Sequence, residues 1–262
     1  MNIGNAGNFI LSRLAQGYYT FSLGEAERVL GDSENARQSI YRLVRQGWLF
    51  SPGKGFYVII DPQHQGTGFV PVEWFIDDWM RFTGARYYVG LLSAAMQHGA
   101  SHQKPQQFQI IGDMRPQVIE KGAYSISFFH KKAIPDDCRE QRQSPAGYYW
   151  ISTPEMTAYD LLRYPKASQS LNLTATIMQE LGEMIDPDRL AALLDIGSEV
   201  SVLQRLGWML DQTGWEEKTS LLADKLRRRE PAWRAIRMDQ SSEGPRDTKW
   251  HLIVNAEIEA DL

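Results

Sequence analysis

A single cysteine, Cys138, is all the chain has. That excludes an intramolecular disulfide and any zinc site built on several thiolates. It is the usage of a reducing compartment, and a cytoplasmic location is expected. Long apolar runs are missing as well. None approaches the roughly 20 residues that cross a bilayer, so no membrane partner is expected. The opening MNIGNAGNFI has no basic region followed by an apolar stretch, and no signal peptide is read there. An excess of one charge is also lacking: 28 Lys and Arg against 32 Asp and Glu leave −4 over 262 residues. Such a chain does not coat nucleic acid with its whole surface, so any DNA contact must come from one patch. No Gly-x-Ser-x-Gly elbow and no Walker loop occurs, and Gly66-Thr67-Gly68 lacks the later Lys-Ser/Thr of a phosphate loop. What remains is a 43% hydrophobic, 11% aromatic chain. That is enough to build a core, and the length suits one large or two to three small domains.

What is present centres on Thr20 to Ile60. Ser22 and Glu25 fit a capping box, which opens a helix from about Leu23 to Leu30 that Gly31 ends. Asp32 and Ser33 are placed to cap a longer helix reaching about Gln46, with Ala36, Ile40 and Leu43 as its inward stripe. Gly47 suits the left-handed position after a helix. Trp48–Phe50 and Phe56–Ile59 are strand-like, and Ser51-Pro52-Gly53-Lys54-Gly55 between them is turn chemistry. A first helix over about Asn5 to Gln16 completes a winged helix-turn-helix over residues 1–62.

Opposite the inward stripe lie Asn35, Arg37, Gln38, Tyr41, Arg42 and Arg45. Asn and Gln pair bidentately with adenine, and Arg with guanine, in the major groove. Lys54 at the Gly-flanked hairpin tip is placed for phosphate or the minor groove. From Ser33 to Tyr57, Arg37, Arg42, Arg45 and Lys54 against Glu34 give +3 on a chain of −4. Cap, turn, helix spacing and hairpin together point to duplex DNA.

Polar Asp61 to Gly68 reads as a linker. Residues 69–152 read as a mixed α+β region: helices over Glu73–Phe82 and Arg86–His98, then strands over Gln107–Ile111, Tyr124–His130 and Tyr148–Ile151. Asp136 to Pro145 reads as an exposed polar loop. Residues 153–262 read as mainly helical, with helices over Pro154–Arg163, Leu173–Ile185, Pro187–Asp195, Glu199–Gln212 and Glu217–Arg228. Terminal strands follow at Trp233–Met238 and Lys249–Val254, joined by the loop Gln240–Asp247. The fold class is therefore α+β, with an N-terminal winged helix-turn-helix and a helical C-terminal part.

Taken in order, four segments resemble the antitoxins of AbiE-type (type IV) toxin–antitoxin systems. They are GWLFSPGKGFYVI, YYVGLLSAAMQHGASHQKPQQFQIIG, STPEMTAYDLLRY, and RLGWML with the closing KWHLIVNAEIE. The resemblance implies an autorepressor that binds inverted repeats in its own promoter through the winged helix. It also implies a C-terminal region that counteracts a nucleotidyltransferase-like toxin without needing a stable complex. By position, Asn35, Arg37, Gln38, Arg42, Arg45 and Lys54 would face DNA. No C-terminal residue gains a role by motif. The charged residues to look at there are Arg205 and the run Lys225, Arg227, Arg228, Arg229.

Catalytic constellations are poor. His98 and His102 are one helical turn apart, but Gly99 intervenes. Asp77 and Asp78 are neighbours and point apart on a helix. Pro135-Asp136 and Glu216-Glu217-Lys218 are too far apart to be one nuclease motif. Cys138 beside Asp137 is a poor thiolate. No enzyme activity, cofactor or metal is expected. An alternative is a ligand-responsive winged-helix repressor with no toxin, its pocket lined by Trp74, Trp79, Tyr87 and Tyr88. An enzyme working through Asp136 or Asp137 is a third.

Overall fold

The structure, a computed structural model, describes residues 4–31, 33–101, 105–241 and 243–258. Asp32 and His102 lie outside them, as does the Ser33 side chain. By packing, the chain gathers into two units. Unit 1 takes residues 1–88, 111–134 and 141–150; unit 2 takes 89–110, 135–140 and 151–262.

Unit 1 begins with α1 (Gly4–Ala15), β1 (Thr20–Ser22), α2 (Leu23–Leu30), α3 (Ser33–Arg45), β2 (Leu49–Gly53) and β3 (Phe56–Ile59). The capping box forms as the sequence predicts: Glu25 N–H donates to the Ser22 hydroxyl at 3.3 Å, and Ser22 N–H to the Glu25 carboxylate at 2.7 Å. Gly31 ends α2 at φ +85°, a conformation that favours glycine. Ile10, Phe21, Ala26, Ile40, Leu43, Leu49 and Ile59 form the core of this region. Ala36, Ile40 and Leu43 are buried, as the helical spacing requires. The sheet is antiparallel, order β1-β3-β2, so Thr20–Ser22 supplies a third strand that the sequence reading treated only as a cap.

After the winged region come α4 (Ile76–Thr83), β4 (Tyr87–Val89), β5 (Phe108–Gly112), β6 (Gln117–Lys121), β7 (Tyr124–His130), β8 (Arg139–Ser144) and β9 (Gly147–Ser152). They form a six-stranded sheet of order β6-β7-β5-β4-β9-β8 with α4 beside it. The chain passes between the two units along β4, β5, β8 and β9.

Two expectations are corrected here. Arg86–His98 is not one helix: Tyr87–Val89 is a buried strand, and extended Gly90 breaks it from the helix that follows. Aromatic and β-branched side chains suit a pleated, buried surface better than a helix. Asp136–Pro145 is not a loop but a 3₁₀ turn and strand β8, and Cys138 is buried. β6 was likewise not foreseen. Both β6 and β8 are sheet edges, where one side faces water and polar residues are tolerated.

Unit 2 holds α5 (Leu91–Gln97), α6 (Pro154–Arg163), α7 (Leu171–Leu181), α8 (Pro187–Ala192), α9 (Val200–Gln212) and α10 (Glu216–Arg227). Every residue of α9 from Val202 to Leu210 is buried, with α6, α7 and α10 packed on it. The two expected terminal strands shrink to β10 (Arg234–Ala235) and β12 (Leu252–Ile253), and β11 (Arg246–Asp247) forms inside the segment expected as a loop, in the order β10-β12-β11. Trp250 anchors them. Its indole N–H donates to Asp211 at 2.7 Å, and its ring sits where a Cβ on Gly207 of α9 would have to go.

Candidate nucleic-acid interface

α3 exposes the residues its periodicity assigns to solvent. Asn35, Arg37, Gln38, Tyr41, Arg42 and Arg45 are all exposed, and so is Lys54 between β2 and β3. At 100° per residue, Gln38, Tyr41, Arg42 and Arg45 stand opposite the buried Ala36, Ile40 and Leu43. Asn35 and Arg37 flank them. Tyr41 is 63% exposed, a large apolar ring left in water beside cations.

The charges differ in freedom. Arg37 Nε donates to Glu27 of α2 at 3.0 Å, so this guanidinium is already engaged. Gln38 donates to Glu34 at 3.3 Å and Arg42 to the Ser39 hydroxyl at 3.2 Å. Among the described residues, Arg42, Arg45 and Lys54 have no carboxylate partner. An unpaired, hydrated cation exchanges water for phosphate without first breaking an ion pair. Arg45 and Lys54 are the freest of the set.

The frame beneath them is packed and hydrogen-bonded. The Phe9 ring meets Phe21 edge-on at 5.1 Å, and Phe21 stacks on Tyr57 at 5.4 Å. Leu23 N–H, at the start of α2, donates to the Gly55 carbonyl at the hairpin tip at 2.8 Å. Burial pushes the Glu25 carboxyl upward, but the Ser22 N–H and hydroxyl and the Arg13 guanidinium outweigh it and hold its pKa below the usual value.

The hairpin is fastened to the rest of unit 1. Phe50 stacks on Tyr124 at 3.8 Å and meets Phe75 at 6.0 Å. Phe56 meets Phe82 at 5.3 Å, and the Thr20 hydroxyl donates to Asp78 at 2.6 Å. Asp61 to Gly68, expected as a linker, is a run of turns in which Asp61 accepts from His64 N–H at 2.9 Å. These attachments, like the pairing of Arg37 with Glu27, leave no local trace in the sequence.

Other expected sites do not assemble. Trp79, Tyr87 and Tyr88 are core residues, and Trp74 packs its ring edge-on against Tyr19 at 4.9 Å. Arg205 is not on a charged face. It is 6% exposed and donates to the Ala235 carbonyl, and burial, with Arg234 nearby, lowers its pKa. Lys225 pairs with Asp195 at 2.7 Å and Arg227 with Asp224 at 3.2 Å. His98 contacts the Ser152 carbonyl at 2.8 Å. Among the described residues no cluster of His, Cys, Asp and Glu could hold a metal, and no helix is long and apolar enough to cross a membrane.

Two segments of the chain match family models. Residues 8–60 match the family model described as transcriptional regulator, AbiEi antitoxin, and residues 88–212 match that of the AbiEi antitoxin C-terminal domain. No curated protein matches the chain. Among solved structures, the RV2827C protein from Mycobacterium tuberculosis is similar over 94% of this chain and 90% of that one, with a TM-score of 0.68 and 19% identity. At that identity the likeness concerns the fold alone.

Proposed function

The chain belongs to the AbiEi antitoxin family, as an antitoxin and transcriptional regulator, and from that premise we propose that it represses its own operon by gripping promoter inverted repeats with α3 and the β2–β3 wing. Asn35, Gln38 and Arg42 read base edges, with Arg37 joining once it leaves Glu27. Arg45 and Lys54 neutralise phosphates, and Tyr41 packs against the backbone. Residues 153–262 counteract a nucleotidyltransferase-like toxin, and no stable complex is needed. The division into a DNA-reading segment 1–62, a middle segment 69–152 and an antitoxin segment 153–262 is part of this proposal.

The observation that carries the DNA reading is the exposed, unpaired state of Arg42, Arg45 and Lys54 on a helix and hairpin whose other faces are buried. A solvated helix face on an acidic protein has no need to gather cations and a bare tyrosine on one side. The ligand-responsive alternative has no comparable support, because Trp79, Tyr87 and Tyr88 are spent on the core.

The test is a gel shift on duplex DNA from upstream of the chain's own coding sequence. Arg42→Ala is expected to weaken binding by about 1–3 kcal/mol and to narrow the preference over unrelated duplex. Unchanged affinity and preference would remove Arg42 from base readout.

A further inference from the structure

The wing is irregular where it matters most. Phe50 pairs with Val58 and Gly53 with Phe56, so Ser51 and Pro52 together face the single residue Tyr57. That is a β-bulge, a device that bends a strand and re-aims the side chains beyond it. Pro52 has no N–H to give, and β2 is the edge strand of its sheet. The bulge must therefore be held by something other than the ladder.

Three contacts hold it. The Ser51 hydroxyl donates to the Gly53 carbonyl at 2.8 Å, closing the bulge on itself. Gly53 lies against the Trp79 ring, with a built Cβ 3.5 Å from the indole nitrogen. From outside, Lys121 Nζ donates to the Ser51 carbonyl at 3.3 Å. Lys121 closes β6, and β6 and β7 pair in register from Gln117↔Phe128 to Lys121↔Tyr124. Tyr124 stacks on Phe50, the last residue before the bulge, and its hydroxyl accepts from Val70 N–H at 2.9 Å. The β6–β7 hairpin tip is thus fixed against the open edge of the wing. Lys54 follows Gly53, the first residue back in register after the bulge.

We infer that Lys121 is a positioning residue for DNA binding: by holding the bulge at Ser51–Pro52 from the open edge of β2, it aims Lys54 at the DNA backbone. This rests on the DNA-binding reading above. Lys121 acts on DNA through Lys54 and makes no independent contact.

The experiment is a double-mutant cycle in the full chain, read as affinity for the upstream duplex, with Lys121→Met, Lys54→Met and both together. Lys121→Met is expected to weaken binding about two- to fivefold, the range of one exposed charged contact. It is expected to change nothing once Lys54 is already Met, because linked residues lose additivity. Lys121→Arg, which keeps a donor, is expected to restore affinity, and the thermal midpoint is expected to stay within about 1 °C of the parent in all four variants, as for surface changes. An equal loss in both backgrounds, or no loss with Lys54 present, overturns the inference. If Lys54→Met is silent while Arg42→Ala and Arg45→Ala still weaken binding, the inference falls and the helix reading stands. If all of these are silent, the DNA reading itself has failed.

Discussion

At the scale of single residues, two glycines and one carboxylate carry the sharpest consequences. A Cβ on Gly207 would overlap the Trp250 ring, and one on Gly182 the Trp215 ring. Neither neighbour is free to leave: Trp250 donates to Asp211 at 2.7 Å and Trp215 to the Gln179 carbonyl at 2.8 Å. Gly207→Ala is expected to destabilise the protein by about 1–3 kcal/mol, the usual cost of overpacking a core, as measured by urea unfolding. Glu25 acts through pH instead. Its folded pKa is depressed, so its contribution is complete above the unfolded value of about 4.3 and fades as pH falls through the folded one. Stability is expected to drop in that acid window, and Glu25→Gln is expected to flatten the drop. An unchanged acid profile in Glu25→Gln would show that the cap carries no such linkage.

At the scale of elements, the wing is built as a fixed part of unit 1. Phe50 sits between Phe75 and Tyr124, and burying such a ring is worth about 3–5 kcal/mol against alanine. Phe50→Ala is expected to lower stability by that amount and to weaken DNA binding more than its distance from Lys54 suggests. Amide exchange across Phe56–Ile59 reads the loosening directly. This junction was the part least legible in the sequence. Helices α2 and α3 could be read because caps and periodicity are local: Ser22, Glu25, Gly31 and the Ala36-Ile40-Leu43 stripe act within a few residues of one another. The brace could not, because Lys121 is far from Ser51 in sequence and only the fold brings them together. The Tyr87–Val89 strand failed for a related reason. Its apolar run continues into Leu91 and Leu92, and an unbroken apolar stretch does not declare its period. The ion pair of Arg37 with Glu27 was hidden likewise, since both lie on helices whose crossing no local pattern sets.

At the scale of the whole molecule, regulation and toxin antagonism are proposed to reside in different segments. Changing the α3 surface should then separate them. The Arg42→Ala/Arg45→Ala chain is expected to lose repression of a reporter driven by its own promoter. It is expected to restore growth as well as the parent when co-expressed with a neighbouring nucleotidyltransferase-like protein. Loss of both activities together, in a variant with normal unfolding, would mean that antagonism passes through the same face.

The most direct measurement of the central claim, that a small cationic face on an acidic chain grips duplex DNA, is the salt dependence of its affinity for the upstream duplex. The logarithm of the affinity is expected to fall linearly with the logarithm of salt concentration. Arg45→Ala is expected to make that slope shallower by about one unit, since each neutralised phosphate contributes about 0.9. An affinity indifferent to salt, or a slope that Arg45→Ala leaves untouched, would contradict the account.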